Sequence, residues 1–123
     1  MNIRKSSEDY LEQILIIREQ KGEVRSIDIA AGLGVTKPSV SVAMKRLREN
    51  GYITMDHDGL ITLTDKGMAI AASMYERHKL LTQLLINLGV NPDTAREDAC
   101  KIEHDLSAET FEAIRKHSGI AAE

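Results

Sequence analysis

Tryptophan is absent from this 123-residue chain, and the aromatic content is limited to one phenylalanine and three tyrosines. The core must therefore be built from aliphatic side chains, which suits packed helices. A single cysteine, Cys100, rules out an internal disulfide, so its thiol is core filler, a free group or a metal ligand. No apolar run reaches the roughly 18 residues a membrane-spanning helix needs, and the opening MNIRKSSEDY lacks the apolar centre of a secretion signal. These absences predict a cytoplasmic chain with no membrane partner. Low-complexity tracts, internal repeats and flexible linkers are also missing. So are His-Glu-x-x-His, a nucleophile elbow and a phosphate loop, which argues against an enzyme and against a small-molecule substrate.

What is present is 42% hydrophobic and 28% charged residues, the balance of a folded globular chain. Ser6 or Ser7 is placed to cap a first helix in which Tyr10, Leu11, Ile14, Leu15 and Ile17 recur at helical spacing up to Lys21-Gly22. Ser26 is expected to cap a short helix over 27–31 that stops at Gly32 and Gly34. Thr36 then caps a helix from Lys37 to Asn50, with Pro38 in its first turn and Val40, Met44 and Leu47 on one face. Two β-branched runs, 52–55 and 60–63, flank Asp56-His57-Asp58-Gly59 and predict a hairpin. Thr64 caps a long helix over 65–88, and Gly89 closes it. Asn91-Pro92 starts another, expected to run to about Asp105, and Ser107 opens a last short helix that frays after Gly119.

Helix, short helix, tight turn, helix and hairpin is the order of a winged helix-turn-helix, in which the second helix of the motif enters the major groove of DNA. The expected fold is mainly α: three helices plus a β-hairpin wing over residues 1–71, then a helical dimerisation domain over 72–123. The net charge of −3 disguises a local excess, since Val24–Gly51 carries Arg25, Lys37, Lys45, Arg46 and Arg48 against only Asp28 and Glu49. Lys45, Arg46 and Arg48 suit phosphates, as does Arg25. Thr36, Lys37, Pro38, Ser39, Ser41 and Val42 form the outward, N-terminal part of the reading helix, where hydroxyls meet bases or phosphates and Val42 meets a thymine methyl. The same geometry also serves packing alone in some proteins. The wing is acidic and makes a poor phosphate clamp. Leu80–Leu88, with Ile102, Leu106, Phe111 and Ile114, is more apolar surface than so small a monomer covers, which predicts a homodimer.

Cys100, Glu103 and His104 stand at i, i+3 and i+4, so a continuous helix brings thiol, carboxylate and imidazole onto one face. Asp9 and Glu12 share a face of the first helix, and His78 lies midway along the long one. Such donors suit divalent iron, manganese, cobalt or zinc. Read alone, the same residues also describe a solvated helix face, and a winged-helix regulator answering to an organic ligand, or to none, stays open. His57 and His117 have no ligand-spaced companions and read as solvated.

Ordered matches run along nearly the whole chain: Ser7-Glu8-Asp9-Tyr10-Leu11-Glu12-Gln13-Ile14, Ile29-Ala30, Pro38-Ser39-Val40-Ser41, Leu63-Thr64-Asp65-Lys66-Gly67, Arg77-His78-Lys79-Leu80-Leu81 and Asp98-Ala99-Cys100-Lys101-Ile102-Glu103-His104. Through them the sequence resembles the diphtheria-toxin-repressor and manganese-transport-regulator family. The resemblance implies a dimeric repressor that binds palindromic operator DNA at metal-homeostasis genes, with Fe2+ or Mn2+ as corepressor and one or two ions per protomer. It implies Asp9, Glu12, His78, Cys100, Glu103 and His104 as metal ligands. Cys100 agrees with the iron branch, where the manganese branch has glutamate; Asp9 agrees with the manganese branch, where the iron branch has methionine. The soft thiolate favours iron, with manganese close behind. Thr82 and Arg96 replace a carboxylate and an imidazole of the iron branch's ancillary site. The SH3-like domain that the iron branch carries after its dimerisation helices is expected to be absent.

Overall fold

The computed structural model describes residues 5–119, so the segment before Lys5 and any fraying after Gly119 lie outside the described residues. Six helices and one hairpin follow in the order α1 Lys5–Lys21, α2 Ser26–Leu33, α3 Lys37–Glu49, β1 Ile53–Met55, β2 Ile61–Leu63, α4 Asp65–Asn87, α5 Pro92–Ile102 and α6 Ala108–Ser118. They form two compact units, one ending at Ala72 and one beginning at Ser73, so the division falls inside α4. The first unit has the winged helix-turn-helix order.

Its core follows from helical spacing. Leu11, Ile14, Leu15 and Ile17 of α1 are buried with Ile29 and Ala30 of α2 and with Val40, Met44 and Leu47 of α3. Tyr52, Ile53, Ile61 and Leu63 complete it from the hairpin. β1 and β2 pair antiparallel in the register Ile53 with Leu63 and Met55 with Ile61. At the tip, Asp56 Oδ1 accepts the Asp58 and Leu60 N–H groups, each at 2.9 Å, and Gly59 takes the left-handed φ of 82° that this turn requires. The Ile61 N–H reaches the Val24 carbonyl at 2.8 Å, which ties the wing to the α1–α2 connection.

Two expected caps are corrected. Ser6 and Ser7 lie inside α1, which is already helical at Lys5. Ser26 is the first residue of α2, not its cap; Arg25 holds that position, and its N–H donates to Asp28 Oδ2 at 3.0 Å. The Lys21 ammonium, 2.7 Å from Asp28 Oδ1, and that N–H hold the Asp28 carboxyl below its ordinary pKa. This contribution is present above the ordinary carboxylate range and fades as pH falls through the depressed value. α2 also continues through Gly32 to end at Gly34, whose φ of 65° is the left-handed cap.

The caps at Thr36, Asn91 and Ser107 form as expected, each side chain accepting a backbone N–H two or three residues on. α5 ends at Ile102, short of the expected Asp105, so Glu103 and His104 lie in the turn beyond the helix. Beyond it the Asp105 N–H turns back to the Ile102 carbonyl at 3.0 Å, a tighter turn than the α-helix, and Arg77 Nη1 of α4 donates to the carbonyls of Glu103 at 3.0 Å and Leu106 at 2.8 Å. Within the second unit Met74, Leu80, Leu81, Ala95 and Ala99 are buried. α6 buries no residue, and Leu88 is 72% exposed.

Gly67 sits where α4 meets the hairpin, and a Cβ there would fall 2.0 Å from the Tyr52 carbonyl oxygen. That oxygen also accepts the Thr64 N–H at 3.1 Å. Backbone cannot swing aside as a side-chain tip can, so Gly67→Ala should cost about 1–3 kcal/mol despite the better helix propensity of alanine. Urea denaturation checks this, and a variant as stable as the parent would show that α4 shifts freely.

Candidate metal centre and nucleic-acid interface

Among the described residues, the buried polar or charged residues are Glu12 and Glu103. Helical spacing puts Glu12 in the middle of the apolar run of α1, beside Leu11, and only 6% of it is exposed. Asp9, three residues earlier on the same helix, is half-buried. Glu103 is fully buried in the turn after α5. An ionised carboxylate removed from water costs several kcal/mol unless cations or hydrogen-bond donors replace its hydration.

Two imidazoles supply part of that replacement at Glu103. His78 Nδ1 of α4 donates to Glu103 Oε2 across 3.0 Å. A histidine held this way presents Nε2 as a donor to a metal, the arrangement in which a carboxylate orients a metal-bound imidazole. His104 Nε2 lies 3.4 Å from Glu103 Oε1, and its side chain is 1% exposed. Oε1 itself is buried with no hydrogen-bond partner among the described residues. A buried anionic oxygen with an imidazole nitrogen beside it and no donor of its own is chemically matched to a bound cation. The second unit thus brings His78, Glu103 and His104 together. Cys100, on α5, is exposed.

The expected cluster of Cys100, Glu103 and His104 on one helix face assumes a continuous helix, whereas α5 ends at Ile102 and Glu103 and His104 lie in the turn that follows. Sequence reasoning gave no role to Arg77, whose two hydrogen bonds shape that turn; it is one exposed-looking cation among many in the sequence, and its partners are 26 and 29 residues away.

On the first unit, α3 buries Val40, Met44 and Leu47 and exposes Lys37, Pro38, Ser39, Ser41, Val42, Lys45, Arg46 and Arg48. Thr36 Oγ1 accepts the Ser39 N–H at 3.3 Å and donates to Ser39 Oγ at 2.8 Å, so these two hydroxyls fix the start of the helix. Some cations elsewhere are paired, Lys21 with Asp28, Arg25 with Glu23, Arg96 with Asp93 and Arg115 with Glu112. Among the described residues Lys37, Lys45, Arg46 and Arg48 form no ion pair. Val42 is 57% exposed between them. Beside this face lies an open recess of about 430 Å³, lined by Ser6, Ser7 and Tyr10 of α1 and by Ser39, Val42 and Arg46 of α3. The wing tip offers no lysine or arginine, and its His57 side chain is 90% exposed. No described helix is long and apolar enough to cross a membrane.

Residues 2–60 match the iron dependent repressor, N-terminal DNA binding domain, and residues 64–120 match the iron dependent repressor, metal binding and dimerisation domain. The chain is 40% identical over 112 residues to the transcriptional regulator MntR of Escherichia coli O157:H7, covering 91% of this chain and 72% of that one. Identity to the HTH-type transcriptional regulator MntR of Geobacillus thermodenitrificans is 38% over 109 residues, covering 89% and 77%. Among solved structures, a manganese-dependent transcriptional repressor in complex with manganese shares 32% identity at a TM-score of 0.84, covering 94% of this chain and 53% of that one. The manganese regulator SloR shares 32% at a TM-score of 0.79, covering 94% and 54%. The chain therefore spans about half the length of these two solved relatives.

Glu103→Gln keeps the side chain's shape and removes its charge. In metal-free buffer the variant should melt no lower than the parent, because the uncompensated buried carboxylate is gone. Mn2+ at about 100 times its dissociation constant should stabilise the parent by about 2.7 kcal/mol and leave the variant's melting unchanged. Thermal denaturation with and without Mn2+ reads both effects, and a variant stabilised as strongly as the parent would remove Glu103 from the site.

Proposed function

We propose that this chain, which belongs to the iron dependent repressor family, represses transcription by making operator binding depend on a divalent metal ion. Its family is one of transcriptional regulators and not of enzymes. The observation that carries the reading is the fully buried Glu103, with His78 and His104 against it and one oxygen lacking a hydrogen bond.

In this reading Glu103, His104 and His78 form one part of a metal site, and Asp9 and Glu12 of α1 supply the other. The chemistry supports it: Glu12 and Glu103 are buried anions, and a shared cation offsets the cost of both. When bound, the ion supplies fixed positive charge and directional bonds to oxygen and nitrogen. The chain's own residues do the rest. Asp9 and Glu12 belong to the DNA-reading unit, whereas His78, Glu103 and His104 belong to the unit matched as a dimerisation domain. A ligand that binds one arrangement of the two more tightly than others favours that arrangement, and by reciprocity operator DNA then tightens the metal.

The thiolate argument for iron weakens where Cys100 is exposed on α5. The donors that remain are carboxylates, which suit manganese, and imidazoles, with no soft thiolate among them to single out iron. The relatives described as manganese-dependent or manganese regulators point the same way. We therefore place manganese level with or ahead of iron as corepressor. The protein acts as a homodimer in the cytoplasm, covering the apolar surface of Phe111, Ile114 and Leu88 that one copy leaves uncovered. Its DNA partner is a double-stranded palindromic operator, gripped through the ion-pair-free cations of α3.

Two measurements test the two halves separately. With free metal buffered, His104→Ala should lose metal-stimulated operator binding while its helical content and dimer persist; unchanged metal dependence would end the proposal. Arg46→Ala should weaken operator and random DNA alike and reduce the slope of log affinity against log salt by about one. A change confined to sequence preference would instead make Arg46 a base reader.

A further inference from the structure

The turn from Glu103 to Leu106 has no helical hydrogen bonds to hold its outward carbonyls, yet it carries both Glu103 and His104. One side chain holds two of those carbonyls: Arg77 Nη1 donates to Glu103 O at 3.0 Å and to Leu106 O at 2.8 Å. The same guanidinium stands over the Phe111 ring, 5.2 Å from its centroid, at the start of α6. Arg77 thus grips both ends of the connection between α5 and α6. Its neighbour on α4, His78, donates to the Glu103 carboxylate itself. Glu103 is therefore fixed twice from α4, through its backbone by Arg77 and through its side chain by His78.

We propose that Arg77 is a positioning residue of the metal centre, setting metal affinity by holding the Glu103–His104 turn without touching the ion. The inference rests on the reading of Glu103 and His104 as metal donors. Electrostatics makes it testable by sign. A permanent cation near a cation site repels the ion, so a guanidinium with no other role would lower metal affinity, and its removal would raise it. A positioning role predicts the opposite, because a loosened turn must be reordered each time the ion binds. Lysine cannot substitute fully: its ammonium keeps the charge and can donate to a carbonyl, but it lacks the planar guanidinium that lies over the Phe111 ring.

The test titrates the full 123-residue chain with Mn2+, following free Mn2+ by electron paramagnetic resonance, for the parent, Arg77→Met and Arg77→Lys. Arg77→Met should need about 10- to 100-fold more free Mn2+ for half-saturation, as loss of residues that orient ligands typically does, with unchanged stoichiometry, and Arg77→Lys should recover part of the loss. Circular dichroism and sedimentation establish that each variant is folded and associates as the parent does. A folded Arg77→Met with half-saturation within about twofold of the parent, or tighter, overturns the proposal. Should Arg77→Met fail to fold, Arg77→Lys decides by the same criterion. A parent chain that binds no Mn2+ overturns the metal reading, and this inference with it, whereas a parent that binds while Arg77 proves indifferent overturns this inference alone.

Discussion

Burying a carboxylate without a matching positive charge is the most expensive feature of this fold, and Glu103 does so completely. Evolution of stability alone would place an apolar residue there, since replacing buried charge with well-packed hydrophobic side chains is commonly neutral or favourable. The surrounding structure is organised around keeping Glu103 in place. His78 meets its side chain, His104 stands beside its second oxygen, and Arg77 holds its carbonyl. Glu103 and His104 themselves lie in the turn that follows Ile102, the last residue of α5. On the proposed reading, a bound cation offsets the cost of burying Glu103.

The first unit presents the complementary case of charge left available. Its α3 is pinned by three buried aliphatic side chains and started by the Thr36–Ser39 pair, so its outward face is rigid. Four cations on that helix form no ion pair among the described residues, although carboxylates engage Lys21, Arg25, Arg96 and Arg115 elsewhere. Exposed pairs contribute little to stability, so leaving them unmade costs the fold almost nothing. It leaves the cations ready for phosphates, whose contact carries affinity and its salt dependence. The exposed Val42 among them can find only one apolar group in a major groove, the thymine methyl.

Much of this was legible from local physics. The caps at Thr36, Asn91 and Ser107, the apolar spacing of α1 and α3, and the Asp-Gly turn of the wing are all decided by residues within four positions of one another. Glu12 and Glu103 are named as candidate ligands by their placing, Glu12 at helical spacing from Asp9 and Glu103 beside His104, and by the family resemblance. At the start of α2 two local caps compete. There Asp28, backed by Lys21 seven residues earlier, outweighs the hydroxyl of Ser26.

The sequence by itself determined the order of elements and the outward face of α3, because helical period and cap chemistry act over a few residues. Only tertiary structure decided where α5 stops, that Cys100 is exposed, that Gly67 must be small against Tyr52, and that Val24 pairs with Ile61. Gly67 and Tyr52 are 15 positions apart, Arg77 and its two carbonyls 26 and 29, and Val24 and Ile61 37, separations at which no periodicity carries a signal and only packing and hydrogen-bond satisfaction choose among the arrangements.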